Sequence, residues 1–455
     1  MFFTSKNLLL KCTFTIIACL YAGQANAMGL MEAYEAALAN DSVYRSAMHE
    51  NEAGQQYKEI GRANLLPSVS ASYAYSKNYG DIASKTNLGW NTQDRDYNSK
   101  NATIQLRQPL INMDGLARYK QGNAQTMLSD KQFEVRKQEL MARFFGLYAS
   151  ANFSEDVLAL AEKQRDAFMQ QLQSNTRMSK FGEGTKTDLI ESQAKLSLSE
   201  AQVIEAEYNV IDSHNALAAM LGKEVNTLDA LSESFEVLPL APSAFDEWKA
   251  LALKNNAEIA AQSEAIEIAN QEVKRNRAGH MPRLDAIASI SNSDSDTSST
   301  FNQKINNKSI GLQLNVPIYS GGSVTALTLQ AEANHKKAQD DLESKTNEIV
   351  LGLRKQYSAV LSNILKVEAL KKSVASAELL IEATQKSVAG GIRTNLDVLN
   401  ARKQLFEVKR DLSSARYNYL VAYISLRKAA GVLTANDFEK ISSYFVKQEK
   451  ITINE

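Results

Sequence analysis

Six residues recur at one fixed distance along the chain. Gly182, Asp188, Ala206, Tyr208, Asn209 and Gly222 return as Gly391, Asp397, Ala415, Tyr417, Asn418 and Gly431, each pair 209 positions apart. Arg62-Ala63-x-x-x-Pro67 likewise returns as Arg277-Ala278-x-x-x-Pro282, and Gln105-Leu106-x-x-Pro109 as Gln313-Leu314-x-x-Pro317. A constant offset over so many pairs marks two copies of one unit, so one folding problem is solved twice. Four of the six prolines belong to these pairs. The other two, Pro239 and Pro242, fall between the copies, where a fixed φ and a missing N–H suit a connector. The expected division is a first copy over 28–240, a second over 241–433 and a segment 434–455.

Within each copy the hydrophobic period changes. Val69, Ala71, Tyr73 and Tyr75 alternate with small polar residues, as do Ala102, Ile104 and Leu106, which predicts strands over about 65–76 and 101–110. The second copy predicts strands over about 282–293 and 308–318, with Leu284, Ala286, Ala288 and Ile290, then Ile310, Leu312, Leu314 and Val316, on one face. The Asn/Asp/Ser-rich stretches between them, Lys77 to Lys100 and Asn292 to Lys308, read as exposed loops. The remainder carries a 3-4 repeat, as in Ile349, Leu353, Tyr357, Val360, Ile364 and Val367, the signature of coiled-coil packing. Long helices are expected over about 113–180 and 322–389, each roughly 100 Å at 1.5 Å per residue. Glycine turns at Gly182-Glu183-Gly184 and Gly390-Gly391 then reverse the chain into helices over about 187–222 and 395–431.

Strands of this length cross a hydrocarbon core when tilted. Four of them cannot close on themselves, and an open edge in lipid leaves backbone groups unpaired at several kcal/mol each, so other copies must complete the sheet. A dimer would supply eight strands, a trimer twelve and a tetramer sixteen; the arithmetic does not choose. Residues 1–27, with Lys6, Lys11, an apolar stretch and Ala25-Asn26-Ala27, read as a secretory signal cleaved after Ala27. A competing reading makes Ile16-Ile17-Ala18-Cys19 a lipoprotein box with Cys19 acylated. Both cysteines lie in this segment, and losing its two lysines moves the formal net charge from −1 to −3. Near-neutral charge without a basic block excludes electrostatic capture of nucleic acid.

No enzyme motif emerges. His49, His214, His280 and His335 lack ligand-like spacing, so no metal site is expected. Gly321-Gly322-Ser323 and Gly182-x-Gly184 lack the Lys-Ser/Thr of a phosphate loop, and no cofactor is implied. Trp90 reads as an interfacial anchor or a surface contact, and Tyr73, Tyr75 and Tyr319 as an aromatic girdle.

Gly279-His280-Met281-Pro282-x-Leu284-Asp285, Pro317-Ile318-Tyr319-x-Gly321-Gly322 and Gly391-x-Arg393-Thr394-x-x-Asp397-Val398-Leu399 carry a resemblance to the TolC family of outer-membrane channels, over essentially the whole mature chain. The resemblance implies a homotrimer in the outer membrane. Its twelve-stranded barrel, four strands per chain, would continue into a periplasmic α-helical barrel, with 434–455 in an equatorial belt. It implies an exit duct for drug efflux and type I protein secretion, set in outer-membrane lipid. The duct would dock through a periplasmic adaptor to an inner-membrane transporter of RND, ABC or MFS type. The glycine turns at Gly182, Gly184, Gly390 and Gly391 would form the tip that meets the adaptor. Thr187, Asp188 and Arg393 match tip-contact positions and Asp397 an acidic ring at the entrance. Asn400 stands where a second acidic residue is expected, and Val388 where a tyrosine is. The residues allow a plainer reading as well: Asp188 with Glu191, and Thr394 with Asp397, fit helix N-caps. A trimeric coiled-coil adhesin is the alternative architecture, although it calls for a single C-terminal strand cluster.

Overall fold

A computed structural model describes residues 27–182, 185–295 and 303–446. The segment expected to be a signal, apart from Ala27, lies outside the described residues, as do 183–184 with the tip glycine Gly184, 296–302 and the chain beyond Val446. The elements run α1 (Leu30–Asn40), α2 (Ser42–Ala63), β1 (Ser68–Thr86), β2 (Gly89–Ile111), α3 (Met113–Lys180) and α4 (Lys186–Leu221). A short β3 (Ala230–Leu231) follows, then α5 (Phe245–Asn255), α6 (Ala257–Arg277), β4 (Arg283–Ser295) and β5 (Gln303–Asn315). The chain ends with α7 (Ser323–Ala389), α8 (Asn395–Ala429), α9 (Ala435–Ser442) and β6 (Phe445–Val446). The fold is mainly α with one four-stranded sheet.

Two compact units cut across the sequence copies. One takes Met48–Glu134 and Ala257–Asn347; the other takes the described chain up to Ala47, Val135–Asn256 and the chain from Glu348. Each unit therefore draws on both copies, because like elements pair with like.

The first unit is built on an antiparallel sheet in the order β1-β2-β4-β5. Its register sets Val69 opposite Leu106, Leu106 opposite Ala288 and Ala288 opposite Ile310, so the alternating residues of all four strands share one face. That face is bare in the single chain: Val69 is 68% exposed, Leu312 70% and Ile310 89%. The opposite face is hydroxyl- and amide-rich, with Ser289 and Ser309 bonded across strands at 2.8 Å. On it Asp285 is buried between Arg107, 2.6 Å away, and Arg283, 3.1 Å away, so one carboxylate ties β2 to β4 across the two copies.

The expected loop from Lys77 to Lys100 is instead mostly strand. β1 and β2 stay in register from Lys77 opposite Asn98 to Thr86 opposite Gly89, around a turn at Asn87-Leu88 where Gly89 takes a φ of 116°. Polarity misleads here because the ladder is made by backbone groups, which pair whatever side chains they carry. Among the described residues β4 joins β2 only from Ser99, so there the stretch from 77 to 98 is a two-stranded ribbon. Trp90 sits at its tip, twelve residues along the strand from the level of Tyr73, about 40 Å. That is too far for an interfacial anchor. The second pairing also outlasts its expected ends, reaching Ser295 opposite Gln303, which narrows the loop expected from Asn292 to Lys308.

Helices α2 and α3 meet at glycine. A Cβ on Gly122 would stand 2.3 Å from the Tyr57 carbonyl, and one on Gly61 2.7 Å from that of Arg118, so only hydrogen fits at either crossing.

The second unit holds the main core. Phe144, Phe145, Tyr148, Leu217, Leu221, Trp248, Leu353 and Phe438 are fully buried. Phe438 of α9 is packed by Tyr34, Phe144 and Phe145 at ring distances of 4.9, 5.8 and 5.9 Å. Helix α9 is fixed there by Asp437, which accepts from the Thr434 N–H and receives Arg427 at 2.8 Å.

Candidate functional site

The two helix-turn tips, α3 to α4 and α7 to α8, carry the residues singled out by the sequence. Gly391 adopts φ 72° just past α7, with Ile392 donating back to the Ser387 carbonyl at 2.9 Å, a glycine C-cap closing the orphan carbonyls. Gly182 takes the same left-handed conformation after α3, at φ 79°, its N–H donating to the Ser179 carbonyl at 3.2 Å. Phe181 and Ile392 stand 81% and 83% exposed beside them, two large apolar side chains held out at the turns.

Both returning helices open with a capping box. At the first, Thr185 is the N-cap; its hydroxyl accepts from the Asp188 N–H at 3.1 Å, and the Asp188 carboxylate accepts from the Thr185 hydroxyl at 2.7 Å. The cap is therefore Thr185, not Asp188. At the second, Asp397 accepts from the N–H and the hydroxyl of Thr394, each at 2.9 Å. These two bonds, reinforced by the positive charge of Arg393, hold the Asp397 carboxyl below its ordinary range, so it stays ionised. Arg393 and Thr187 are exposed. Among the described residues no ion pair joins Arg393 to Asp188 within the chain; Arg393 acts on Asp397. Asn400 is engaged from the other hairpin, its carbonyl accepting from Lys195 of α4. Burial lowers the Lys195 ammonium's pKa, the carboxylate of Glu191 opposes that, and Lys403 adds to it.

Behind the first tip lies a polar cluster that sequence reasoning missed. Asn175 of α3, 3% exposed, donates to the Ser192 hydroxyl at 2.6 Å, and Ser192, 1% exposed, donates to the Asp188 carbonyl at 2.7 Å. Gln171 donates to the Asn175 carbonyl oxygen at 3.0 Å. As a lone amide on a long helix, Asn175 gave no sequence signal of this cluster. Its counterpart 209 positions on is Thr384, equally buried, whose hydroxyl finds no partner among the described residues. The counterpart of Ser192 is the buried Ala401. Further along the hairpins Phe168, Leu196 and Leu399 pack together.

In the same unit Glu155 of α3 pairs with His214 of α4 at 2.8 Å, which raises the imidazole's pKa despite burial. Beside it Asp156 accepts from Ser413 of α8 at 2.6 Å, and burial raises that carboxyl.

Apolar-faced strands in a sheet with two open edges define a class, the outer-membrane proteins that span lipid with β-structure. No helix among the described residues is long and apolar enough to cross a membrane. The chain belongs to the outer membrane efflux protein family, whose model matches residues 33–223 and 248–432, one match in each copy. It is 40% identical over 427 residues to the alkaline protease secretion protein AprF of Pseudomonas aeruginosa, covering 93% of this chain and 89% of that one. It is 37% identical over 434 residues to the proteases secretion protein PrtF of Dickeya chrysanthemi, covering 95% and 94%. With the outer membrane protein TolC of Escherichia coli it shares 26% over 441 residues, covering 94% and 87%. Among solved structures, the outer membrane protein VceC of Vibrio cholerae superposes with a TM-score of 0.73 at 17% identity, covering 88% and 96%. The channel CusC superposes with 0.76 at 17%, covering 90% and 95%. The protein is an outer-membrane channel of this family.

Proposed function

We propose that this channel is the exit duct of a type I secretion machine whose cargo is a secreted protease. The observation that carries the reading is likeness over nearly the full length to two protease secretion proteins, at 40% and 37% identity, against 26% for the TolC of Escherichia coli. Three chains close the sheet: β1 and β5 are open edges, and three four-stranded sheets make twelve strands. An ABC-type transporter of the inner membrane supplies the energy, and a periplasmic adaptor docks on the turns at Gly182, Gly184, Gly390 and Gly391, where Phe181 and Ile392 offer apolar contact. Asp397, with Asp188, Arg393, Thr187 and Asn400, forms the charged entrance that opens when tip contacts between chains break.

The test is secretion. In a cell lacking its own channel, co-expression of this chain with a protease-exporting ABC transporter and its adaptor is expected to release active protease into the medium. Full retention of the protease, with the chain assembled in the outer membrane, would sink the reading in favour of small-molecule efflux.

A further inference from the structure

We propose that the sheet carries, just beyond its apolar band, a binding surface for phosphorylated lipid headgroups of the outer leaflet, built by Lys77, Lys100, Lys304 and Lys308. The proposal rests on reading the sheet as part of an outer-membrane barrel. Directly opposed residues of an antiparallel pair share a face, as do alternate residues of one strand. Lys308 lies opposite Ile290, Lys100 opposite Tyr75 and Asp294, Lys304 opposite Asp294, and Lys77 opposite Asn98. All four therefore project from the face that carries Val69, Ile104, Leu106, Ile310 and Leu312, and all four are exposed.

Two asymmetries point to an anionic lipid. The opposite face at the same level, from Ser70 to Ser76, Gln105 to Ser99, Ser289 to Ser293 and Ser309 to Gln303, carries no charged side chain. Lysines meant for solubility or for steering cargo would stand on the wet side, yet these stand beside the apolar side chains. The helix-proximal end of the same face, at Leu284, Ile111 and Leu314, has no lysine, so the charge is confined to the end remote from the helices, which is the outer leaflet. Apolar positions alternate over about seven residues per strand, about 25 Å, the height of a lipid-facing band. By register Lys308 is level with Ile290 and Ile104, Lys100 and Lys304 are level with Tyr75, and Lys77 stands one pair of residues further out, so the lysines climb diagonally from the edge of the band, with the Lys77 ammonium 4.9 Å from the Tyr79 ring centroid.

One carboxylate interrupts the belt: Asp294 lies 3.5 Å from Lys304, an exposed pair weak enough for a phosphate to displace. Further out on this face come Asp96, opposite Tyr79, and Asp81 directly opposite Asp94. The order from the band outward is apolar, cationic, anionic, with Lys85 alone beyond it beside the turn. A molecule that satisfies the first two layers has acyl chains and a phosphate at the height of the belt; an acidic soluble protein would leave the apolar layer uncovered and meet the carboxylates.

The experiment is native mass spectrometry of the detergent-solubilised oligomer with bisphosphorylated lipid A and with its dephosphorylated form, each sample's conductance being measured in a planar bilayer. Wild type is expected to retain the phosphorylated lipid about tenfold better. The Lys77→Gln, Lys100→Gln, Lys304→Gln, Lys308→Gln variant should lose that preference, and the fourfold Lys→Arg variant should keep it. Equal retention of both lipids by conducting wild-type protein, or an unchanged preference in the Gln variant, overturns the surface and leaves the barrel standing. Should the fourfold Gln exchange fail to assemble, Lys100→Gln with Lys304→Gln decides by the same readout. A wild type that neither conducts nor forms an oligomer overturns the barrel, and the surface with it.

Discussion

Asn175 and Thr384 occupy the same position in the two copies and have opposite energetics. Asn175 is buried with its partners, so Asn175→Ala removes the donor to the Ser192 oxygen and the acceptor for Gln171, and is expected to cost about 1–3 kcal/mol of local stability. Thr384 is buried without a partner among the described residues, so Thr384→Val, which keeps the shape and removes the hydroxyl, is expected to be neutral or stabilising by up to about 1 kcal/mol. Hydrogen exchange of the amides on either side of each tip reads both. His214 gives a pH signature. Its folded pKa lies above the unfolded value because Glu155 pairs with the imidazolium. The stabilisation is therefore fully present below about pH 6.5 and is lost as pH rises through the higher folded value. Asp156, raised by burial, has the same sign in a lower window, favouring the folded state as it protonates. Protection at the α3–α4 contact, taken as exchange relative to the intrinsic rate at each pH, is expected to fall in wild type as pH rises above about 6.5 and to change little in His214→Gln. At this scale the sequence was partly legible. The Thr-x-x-Asp pattern that opens each returning helix marks the caps, but Asp188 was read as a cap because an acidic residue in the first turn and an N-cap share the same chemistry. Asn175 was not read at all, since a lone amide in a helix carries no sign of whether it faces water or a partner.

Elements were legible wherever side-chain periodicity reports burial. The four strands announce themselves by alternation because one face meets an apolar medium, and the helical hairpins by seams broken only at glycine. The ribbon from Lys77 to Asn98 gives no such report, because both of its faces are polar and its ladder is backbone alone. Since among the described residues these pair only with each other, replacing 79–96 by an Asn-Gly turn is expected to leave insertion and conductance intact. Loss of the heat-stable oligomer on that deletion would mean the ribbon has partners in the assembly. The crossing of α2 and α3 is the reverse case, with no tolerance: Gly122→Leu drives a side chain into the Tyr57 carbonyl and is expected to cost about 1–3 kcal/mol. Proteolysis at α2 should accelerate, and Gly146→Leu on the same helix, where a Cβ meets nothing within 4 Å, is the control.

At the scale of the whole molecule, the charge around residue 400 depends on a residue that one copy lends to the other. The sequence allowed Asp397 to be placed at the tip and noted the missing acid at Asn400, but not that Lys195, 205 positions earlier, would hold Asn400. That contact joins the return helices of the two copies, and nothing in a linear pattern pairs them. It also changes what restoring the acid would do. Lys195 beside the neutral Asn400 leaves one positive charge there per chain. Asn400→Asp and Lys195→Gln each cancel that charge, and the double exchange turns it negative. If this contact lines the proposed entrance, either single exchange is expected to move the zero-current potential across a salt gradient part of the way toward cations, and the double exchange furthest, with sharper block by multivalent cations. If adding Lys195→Gln leaves the potential of the Asn400→Asp variant unchanged, Lys195 does not hold residue 400 in the assembled channel.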